Sequence, residues 1–244
     1  MAARDLDSHG FFLTPLLQPG FDVLDAGCGP GTITAGIAEA VFPARVTALD
    51  ISPTQLEMGR RLAEGREIVN MDFVAASAGR LPFADHSFDV VFAHALLEHL
   101  RDPAQAFAEF HRVTRPGGFI AVCSMDWEHL ALEPNPPRVN RALRAYRDLQ
   151  ERNGGNTRAG AILRDWMEAV GFTPLVHAEW TEECEDPACL ATYLAAQLER
   201  AGQFHHATTL RRWAETPGAT FRHSWKYATG VRADDIRQYN LMRE

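Results

Sequence analysis

The stretch VLDAGCGPGTIT, residues 23–34, constrains the fold more than any other part of this chain. An apolar run ends in Asp25, three glycines alternate at positions 27, 29 and 31, and a helical pattern follows. Strand, glycine turn and helix form the unit with which several α/β folds hold a nucleotide-like cofactor. The stretch therefore predicts a cofactor site at the end of a first strand.

Apolar runs alternate with helical patterns through the first half, which is typical of a parallel sheet covered by helices. Strands are predicted at 21–27, 44–50, 71–77, 87–95 and 119–125. Further along, the sequence predicts helices at about 138–152, 158–170 and 187–215, and strands at 173–180 and 220–231. We expect the later helices to be insertions that cover the sheet edge where ligands bind in such folds.

The chain is expected to form a single domain over residues 1–244. Its parts are a cofactor-binding core at 1–125, helical insertions at 126–218 with the sixth strand, a last strand at 219–231 and a tail at 232–244. No apolar run reaches the ~20 residues of a membrane span, and the first residues lack the layout of a secretory signal. We therefore expect a cytoplasmic protein, and its oligomeric state is left open.

The net charge of −8 argues against nucleic acid as a partner, because phosphate backbones attract clustered Lys and Arg. The four cysteines do not form the paired spacing of a zinc site, so no metal is predicted. A small molecule is the expected partner.

The chemistry of the glycine turn separates the cofactors that could bind there. A P-loop needs a Lys followed by Ser or Thr, and the turn has neither in that order. A dinucleotide turn offers backbone N–H groups to a pyrophosphate, yet Pro30 removes one of them and Asp25 repels a polyanion. S-adenosylmethionine has no phosphate and carries a sulfonium and an ammonium, so an acidic turn suits it better. Asp50, at the end of the second strand, is placed to accept hydrogen bonds from two ribose hydroxyls.

Four motifs occur in order: VLDAGCGPGT, ALDIS, LPFADHSFDVVFAHALLEHL and RVTRPGGFIAV. Together they resemble class I S-adenosylmethionine-dependent methyltransferases, nearest the branch of the ubiquinone and menaquinone biosynthesis enzymes. The resemblance covers residues 20–125, with a weaker similarity to about residue 231. It implies a Rossmann-like α/β fold with a seven-stranded, mostly parallel sheet, helices on both faces and a last strand that is antiparallel.

The resemblance also implies the roles of individual residues toward S-adenosylmethionine. It places the methionine part of the cofactor at Asp25, Gly27, Gly29 and Gly31. The ribose lies at Asp50, the adenosine beside Ile51 and Gln55, and the transferable methyl near His94. Members of the family usually have an Asp after the third strand for the adenine amino group. This chain has Ser77 there, followed by Ala78, so we expect cofactor binding to persist with reduced affinity.

Methyl transfer needs a general base only if the acceptor must lose a proton, and His is the usual choice. His94 and His129 are the candidate catalytic residues, because both are predicted at strand ends where ligands bind. His223, on the last strand, is a further candidate. Trp127, Trp180, Trp225 and Tyr227 are candidate walls of an acceptor pocket.

The sequence thus predicts methyl transfer from S-adenosylmethionine to a small organic acceptor, at oxygen, nitrogen or carbon, with release of S-adenosylhomocysteine. One alternative is an enzyme of this fold that binds S-adenosylmethionine and catalyses another reaction. A second alternative is a non-catalytic module that binds the cofactor.

Overall fold

The computed structural model of the chain describes residues 4–184 and 186–233. Seven strands form one sheet in the order β3-β2-β1-β4-β5-β7-β6. They are β1 (Val23–Ala26), β2 (Val46–Asp50), β3 (Met71–Ala75), β4 (Phe88–His94), β5 (Thr114–Glu133), β6 (Phe172–Cys184) and β7 (Thr220–Arg232). β7 runs antiparallel to both of its neighbours, and the other pairs are parallel. The predicted seven-stranded, mostly parallel Rossmann-like sheet is confirmed.

Helices cover both faces of this sheet. They are α1 (Leu6–His9), α2 (Thr32–Val41), α3 (Pro53–Gly65), α4 (Pro103–Val113), α5 (Pro137–Arg152), α6 (Leu163–Ala169), α7 (Ala188–Arg200) and α8 (Phe204–Ala214). Ile33 and Ile37 of α2 are buried in the core on one face. Phe107 and Phe110 of α4 are buried with Met167 of α6 in a second core on the other face. Every residue of β1 is buried, as expected for a central strand covered on both sides.

The fifth strand is much longer than the sequence predicts. Pro116-Gly117-Gly118 ends a helical pattern, but α4 already ends at Val113 and β5 begins at the next residue. At its other end, β5 continues past Met125 to Glu133, which pairs with Thr220 of β7. The pairing is irregular between Asp126 and Ala131, so residues 127–130 bulge from the ladder. This extension projects β5 and β7 beyond the parallel part of the sheet.

The later helices pack against the projecting strands. Trp127, Leu130 and Leu132 of β5 share one core with buried residues of α5, α7 and α8, among them Leu143, Leu194 and Leu210. The segment predicted as a helix at 158–170 is a short 3₁₀ turn (Ala159–Ile162) followed by α6. Of the predicted tail at 232–244, residues 234–244 lie outside the described residues. None of the described helices is long and apolar enough to cross a lipid bilayer.

Candidate cofactor and acceptor site

The glycine turn between β1 and α2 depends on left-handed backbone conformations. Gly27, Gly29 and Gly31 have φ angles of 78°, 53° and 75°, which L side chains rarely adopt. A Cβ at Gly27 would lie 2.9 Å from the Leu96 side chain, whereas a Cβ at Gly29 would meet no atom within 4 Å. The turn therefore packs against the residues after β4 on one side and borders open space at Gly29.

The backbone N–H groups of this turn are used within the protein. Those of Gly27 and Cys28 donate to the Leu49 carbonyl, and that of Gly31 donates to the Cys28 carbonyl. The Gly29 N–H donates to Oδ2 of Asp50 over 3.0 Å, and Pro30 has no N–H. A phosphate cradle requires several such groups to point at the ligand. The turn is therefore ill suited to a pyrophosphate, as the missing N–H of Pro30 predicts.

Asp50 connects the turn to the second strand. Its Oδ1 accepts the Ser52 N–H over 2.8 Å, while its Oδ2 holds Gly29. The Ser52 side chain is the N-cap of α3, so the helix does not need Asp50 for that role. The carboxylate is thus fixed at the carboxyl end of β2, only partly buried, and each oxygen retains a lone pair for a further donor.

Asp25 lies beneath the turn. It is 2% exposed, and its Oδ2 accepts a hydrogen bond of 2.6 Å from Oγ1 of Thr34 in α2. Burial raises the pKa of Asp25 to about 7, in spite of that hydrogen bond. The side chain thereby joins the end of β1 to the first turn of α2, and its contact with the ligand ammonium stays a prediction.

The remaining predicted cofactor residues follow the same sheet edge. Ile51 is an apolar side chain that is 76% exposed, and Oε1 of Gln55 is buried without a partner among the described residues. Ser77 is exposed and accepts the Gly79 N–H over 3.3 Å, while Ala78 is buried. An exposed apolar side chain and an unpaired amide oxygen beside the Asp50 carboxylate fit a nucleoside. The residues present therefore suit the adenosine part of S-adenosylmethionine.

Replacing Ser77 with Asp is expected to raise the affinity for S-adenosylhomocysteine about threefold to tenfold, because a carboxylate accepts a stronger hydrogen bond from an amino group. Titration calorimetry of wild type, Ser77→Asp and the neutral isostere Ser77→Asn measures this directly. A large loss of affinity in Ser77→Asp would mean that the adenine is held in another way.

His94 ends β4 close to the turn. It is 7% exposed, and its Nε2 has no hydrogen-bond partner among the described residues. Burial lowers the pKa of His94 well below its ordinary value, and the positive charge of Arg4 adds to the effect. The ring centroids of His94 and Trp225 are 4.8 Å apart. The neighbouring Ala95 has a φ of 55°, so the chain turns sharply after the strand.

A cavity of about 370 Å³ opens beyond Ala95, and it extends between β5, β6, β7, α7 and the N-terminal segment. Its walls are mainly apolar, with contributions from Ala95, Met125, Trp127, Leu190, Phe221 and Trp225. Such a volume, enclosed by aromatic side chains with a few polar groups, is typical of a site for a small organic ligand.

Glu182 of β6 gathers four donors at one side of the cavity. Its Oε2 lies 3.1 Å from Nε2 of His223 and accepts the Trp225 indole N–H over 3.1 Å. Its Oε1 lies 3.3 Å from Nε2 of His9 and accepts the Trp180 indole N–H over 3.1 Å. Hydrogen bonds from His223 and His9 hold the pKa of Glu182 far below its usual range. The carboxylate thus ties α1 to β6 and β7.

The predicted catalytic and substrate residues have different positions. Trp127 and Trp225 line the cavity, and so does His223. Tyr227 lies outside its lining and stacks on Phe12, with ring centroids 4.7 Å apart. His129 lies within the bulged part of β5, where its side chain is 68% exposed and its Nδ1 is 2.8 Å from Oδ2 of Asp126.

Several residues of the cavity were not identified from the sequence. Arg4 and His9 come from the N-terminal segment, Glu98 from the turn after β4, and Glu182 from the edge strand β6. No motif marks the first two, because they reach the cavity only when α1 packs on the sheet. Glu182 stands between Thr181 and Glu183 in the sequence, and such a polar run has the pattern of an ordinary solvated edge strand.

Known proteins share both sequence and fold with this chain. Residues 24–122 match the family described as a methyltransferase domain. An uncharacterised methyltransferase of Schizosaccharomyces pombe is 34% identical over 179 residues, which cover 66% of this chain and 60% of that protein. A demethylmenaquinone methyltransferase of Geobacillus stearothermophilus is 39% identical over 108 residues, which cover 44% of this chain and 46% of the enzyme.

The chain spans 40% to 60% of the length of these and two further curated relatives. Among solved structures, a Bacillus halodurans protein studied as a candidate methyltransferase superposes with a TM-score of 0.68 at 16% identity. That alignment covers 91% of this chain and 97% of the other. At 16% sequence identity, this similarity shows a shared fold and nothing more.

Proposed function

We propose that this chain is a class I S-adenosylmethionine-dependent methyltransferase of the menaquinone- and ubiquinone-like branch. Its acceptor is a small organic molecule bound in the 370 Å³ cavity. One observation carries the proposal: the glycine turn and the cavity meet at the end of β4. Gly27 packs against Leu96, and the cavity begins at Ala95. A ligand held by the turn and Asp50 would therefore have its reactive end at the mouth of the cavity.

S-adenosylmethionine supplies, when bound, a methyl group that its sulfonium has already activated. The contribution of the protein is then alignment of the acceptor and exclusion of water, which can be worth about 7–11 kcal/mol for a well-oriented pair. Asp50 and the turn hold one partner, and Trp127 and Trp225 enclose the other. The apolar walls favour an acceptor with an apolar body.

The proposal is tested by mass-spectrometric detection of S-adenosylhomocysteine together with a product that is heavier by one methyl group. Acceptors with hydroxyl, amine and activated-carbon groups form the panel. Product formation that requires both substrates supports methyl transfer. An acceptor converted without release of S-adenosylhomocysteine would instead indicate another reaction of the same fold.

His94 remains the better placed of the two proposed bases, because it ends β4 and contacts Trp225 of the cavity wall. If it removes a proton from the acceptor, His94→Gln is expected to lower kcat about 100-fold, a common contribution of a general base. Since burial lowers the pKa of His94, the acidic limb of the wild-type pH–rate profile should lie below pH 6.5, the ordinary pKa of histidine.

His129→Gln tests the second candidate base, and His177→Gln, at an exposed position of β6, is the matched control. Unchanged profiles in both His94→Gln and His129→Gln would exclude either residue as the base.

A further inference from the structure

The charged groups that line the cavity are unevenly divided between acids and bases. Within the part of the chain that the structure describes, the carboxylates of Glu98, Glu182 and Asp186 line it, and Arg4 is the only Arg or Lys that does. With the histidines neutral, these side chains give the cavity a net charge of −2. The field of such a lining favours a positively charged ligand over an anion.

Glu98 is the most deeply buried of the three acids. It lies in the 3₁₀ turn after β4, is 3% exposed, and accepts a hydrogen bond from Oγ of Ser124 at Oε2. No hydrogen bond to its other oxygen is made by any residue between 4 and 184 or 186 and 233. A buried carboxylate is costly unless a cation or further donors compensate it. Glu98 therefore leaves an unpaired anionic oxygen at the cavity wall, close to Ala95.

Arg4 provides a cation at this place. Its guanidinium carbon lies 4.7 Å from the ring centroid of Trp225, which is the geometry of a cation–π contact. Burial lowers the pKa of Arg4, and the negative charges of Glu98 and Glu182 oppose that effect. Among the described residues, Arg4 makes no ion pair within 4.0 Å and no side-chain hydrogen bond. An aromatic face and nearby carboxylates hold the guanidinium, as a cage holds a cationic ligand.

The other titratable groups that line the cavity with Arg4 and Glu98 are three histidines, the carboxylates of Glu182 and Asp186, and the side chains of Cys184, Cys189 and Tyr193. His9 and His223 both direct Nε2 to Glu182. His99 lines the cavity, and Asp186 lies at the exposed rim, where its Oδ1 accepts the N–H of Ala188 at the start of α7. Without Arg4, the cavity would present three carboxylates and no permanent cation.

We propose that the acceptor carries a positive charge, as a protonated amine or a quaternary ammonium, which lies between the Trp225 ring and the Glu98 carboxylate. Arg4 occupies this position in the absence of the acceptor and leaves it when the acceptor binds. This inference rests on the proposed function in one respect: it takes the ligand of this cavity to be the methyl acceptor. It concerns the group by which the acceptor is held, not the atom that receives the methyl.

The test uses probes that share a phenyl ring and differ in charge: benzyltrimethylammonium, benzyl alcohol and benzoate. Quenching of tryptophan fluorescence reports their binding to the full chain. Arg4→Ala is expected to bind benzyltrimethylammonium about tenfold more tightly than wild type, because the competing cation is gone. Adding Glu98→Gln to Arg4→Ala should weaken that binding at least about tenfold, because the unpaired carboxylate is neutralised while an oxygen remains for Ser124.

Arg222→Ala and Glu183→Gln, both exposed at neighbouring positions of β7 and β6, are the matched controls and should bind the cation as wild type does. The proposal is overturned if Arg4→Ala leaves the affinity for the cation unchanged or lowers it. It is equally overturned if wild type prefers benzoate and Arg4→Ala loses that preference, since Arg4 would then be an anchor for anions. Calorimetry with S-adenosylhomocysteine is run in parallel. Failure of the cofactor to bind would refute the proposed function, while the probes still report the charge preference of the cavity.

Discussion

Asp50→Ala is expected to bind S-adenosylhomocysteine at least about 100-fold more weakly than wild type, because two hydrogen bonds to a charged acceptor are lost and each contributes about 1.5–3 kcal/mol. The carboxylate is fixed by the N–H groups of Gly29 and Ser52, so it is oriented before the ligand arrives. Each of its oxygens retains a lone pair for a further donor. Titration calorimetry gives the affinity.

Asp50→Asn separates charge from shape in this experiment. The amide oxygen can still accept one backbone N–H, so the turn is retained, and a loss of about tenfold is expected from the weaker acceptor. Near-wild-type affinity in Asp50→Ala would show that the ribose is held elsewhere.

Glu182→Ala is expected to lower the free energy of unfolding by about 3 kcal/mol, the lower end of the range for removing one partner from a buried ion pair, because the Glu182 side chain is 32% exposed. The carboxylate receives hydrogen bonds from Trp180, Trp225, His9 and His223, and all four donors would lose their acceptor. Chemical denaturation measures the change. Glu183→Ala, at the next and exposed position of β6, should stay within about 0.5 kcal/mol of wild type, as surface substitutions usually do.

The sign of the pH dependence follows from the lowered pKa of Glu182. A carboxyl group whose pKa is lower in the folded than in the unfolded state stabilises the fold. This contribution is complete at pH values above the pKa of the unfolded state. That stability is lost as the pH falls from 4.5, the ordinary value, toward the lower value of the folded state. Wild type should therefore lose stability more steeply in acid than Glu182→Ala does. Equal slopes for the two proteins would contradict the role given to this carboxylate.

The conformation of the candidate cofactor half of the site could be predicted from the sequence because its signals are local. The glycines of the turn, Asp50 and the cap at Ser52 lie within one strand–turn–helix unit or directly after the next strand. Their conformations follow from positive φ angles and from the ends of parallel strands. The same alternation of apolar runs placed β1 to β4 within a few residues of where they lie.

The acceptor half could not be predicted in the same way. Pro116-Gly117-Gly118 has the composition of a turn and lies in an irregular part of the β4–β5 ladder, between Thr114, which pairs with Phe88, and Phe119, which pairs with Val90, yet β5 continues through it. The extension of β5 also places His129 within a strand and leaves it exposed. Arg4 and Glu182 meet in the cavity although 178 positions separate them in the chain. Contacts between residues so far apart in the chain form only when the sheet is assembled, and no local sequence pattern predicts them.

A crystal structure with S-adenosylhomocysteine bound tests the central claim most directly. We expect the amino-acid part over Gly27–Gly31, the ribose hydroxyls on Asp50, and the sulfur at the mouth of the cavity beside Ala95. A sulfur that lies outside the cavity mouth, or a ligand bound away from the glycine turn, would refute the proposed function.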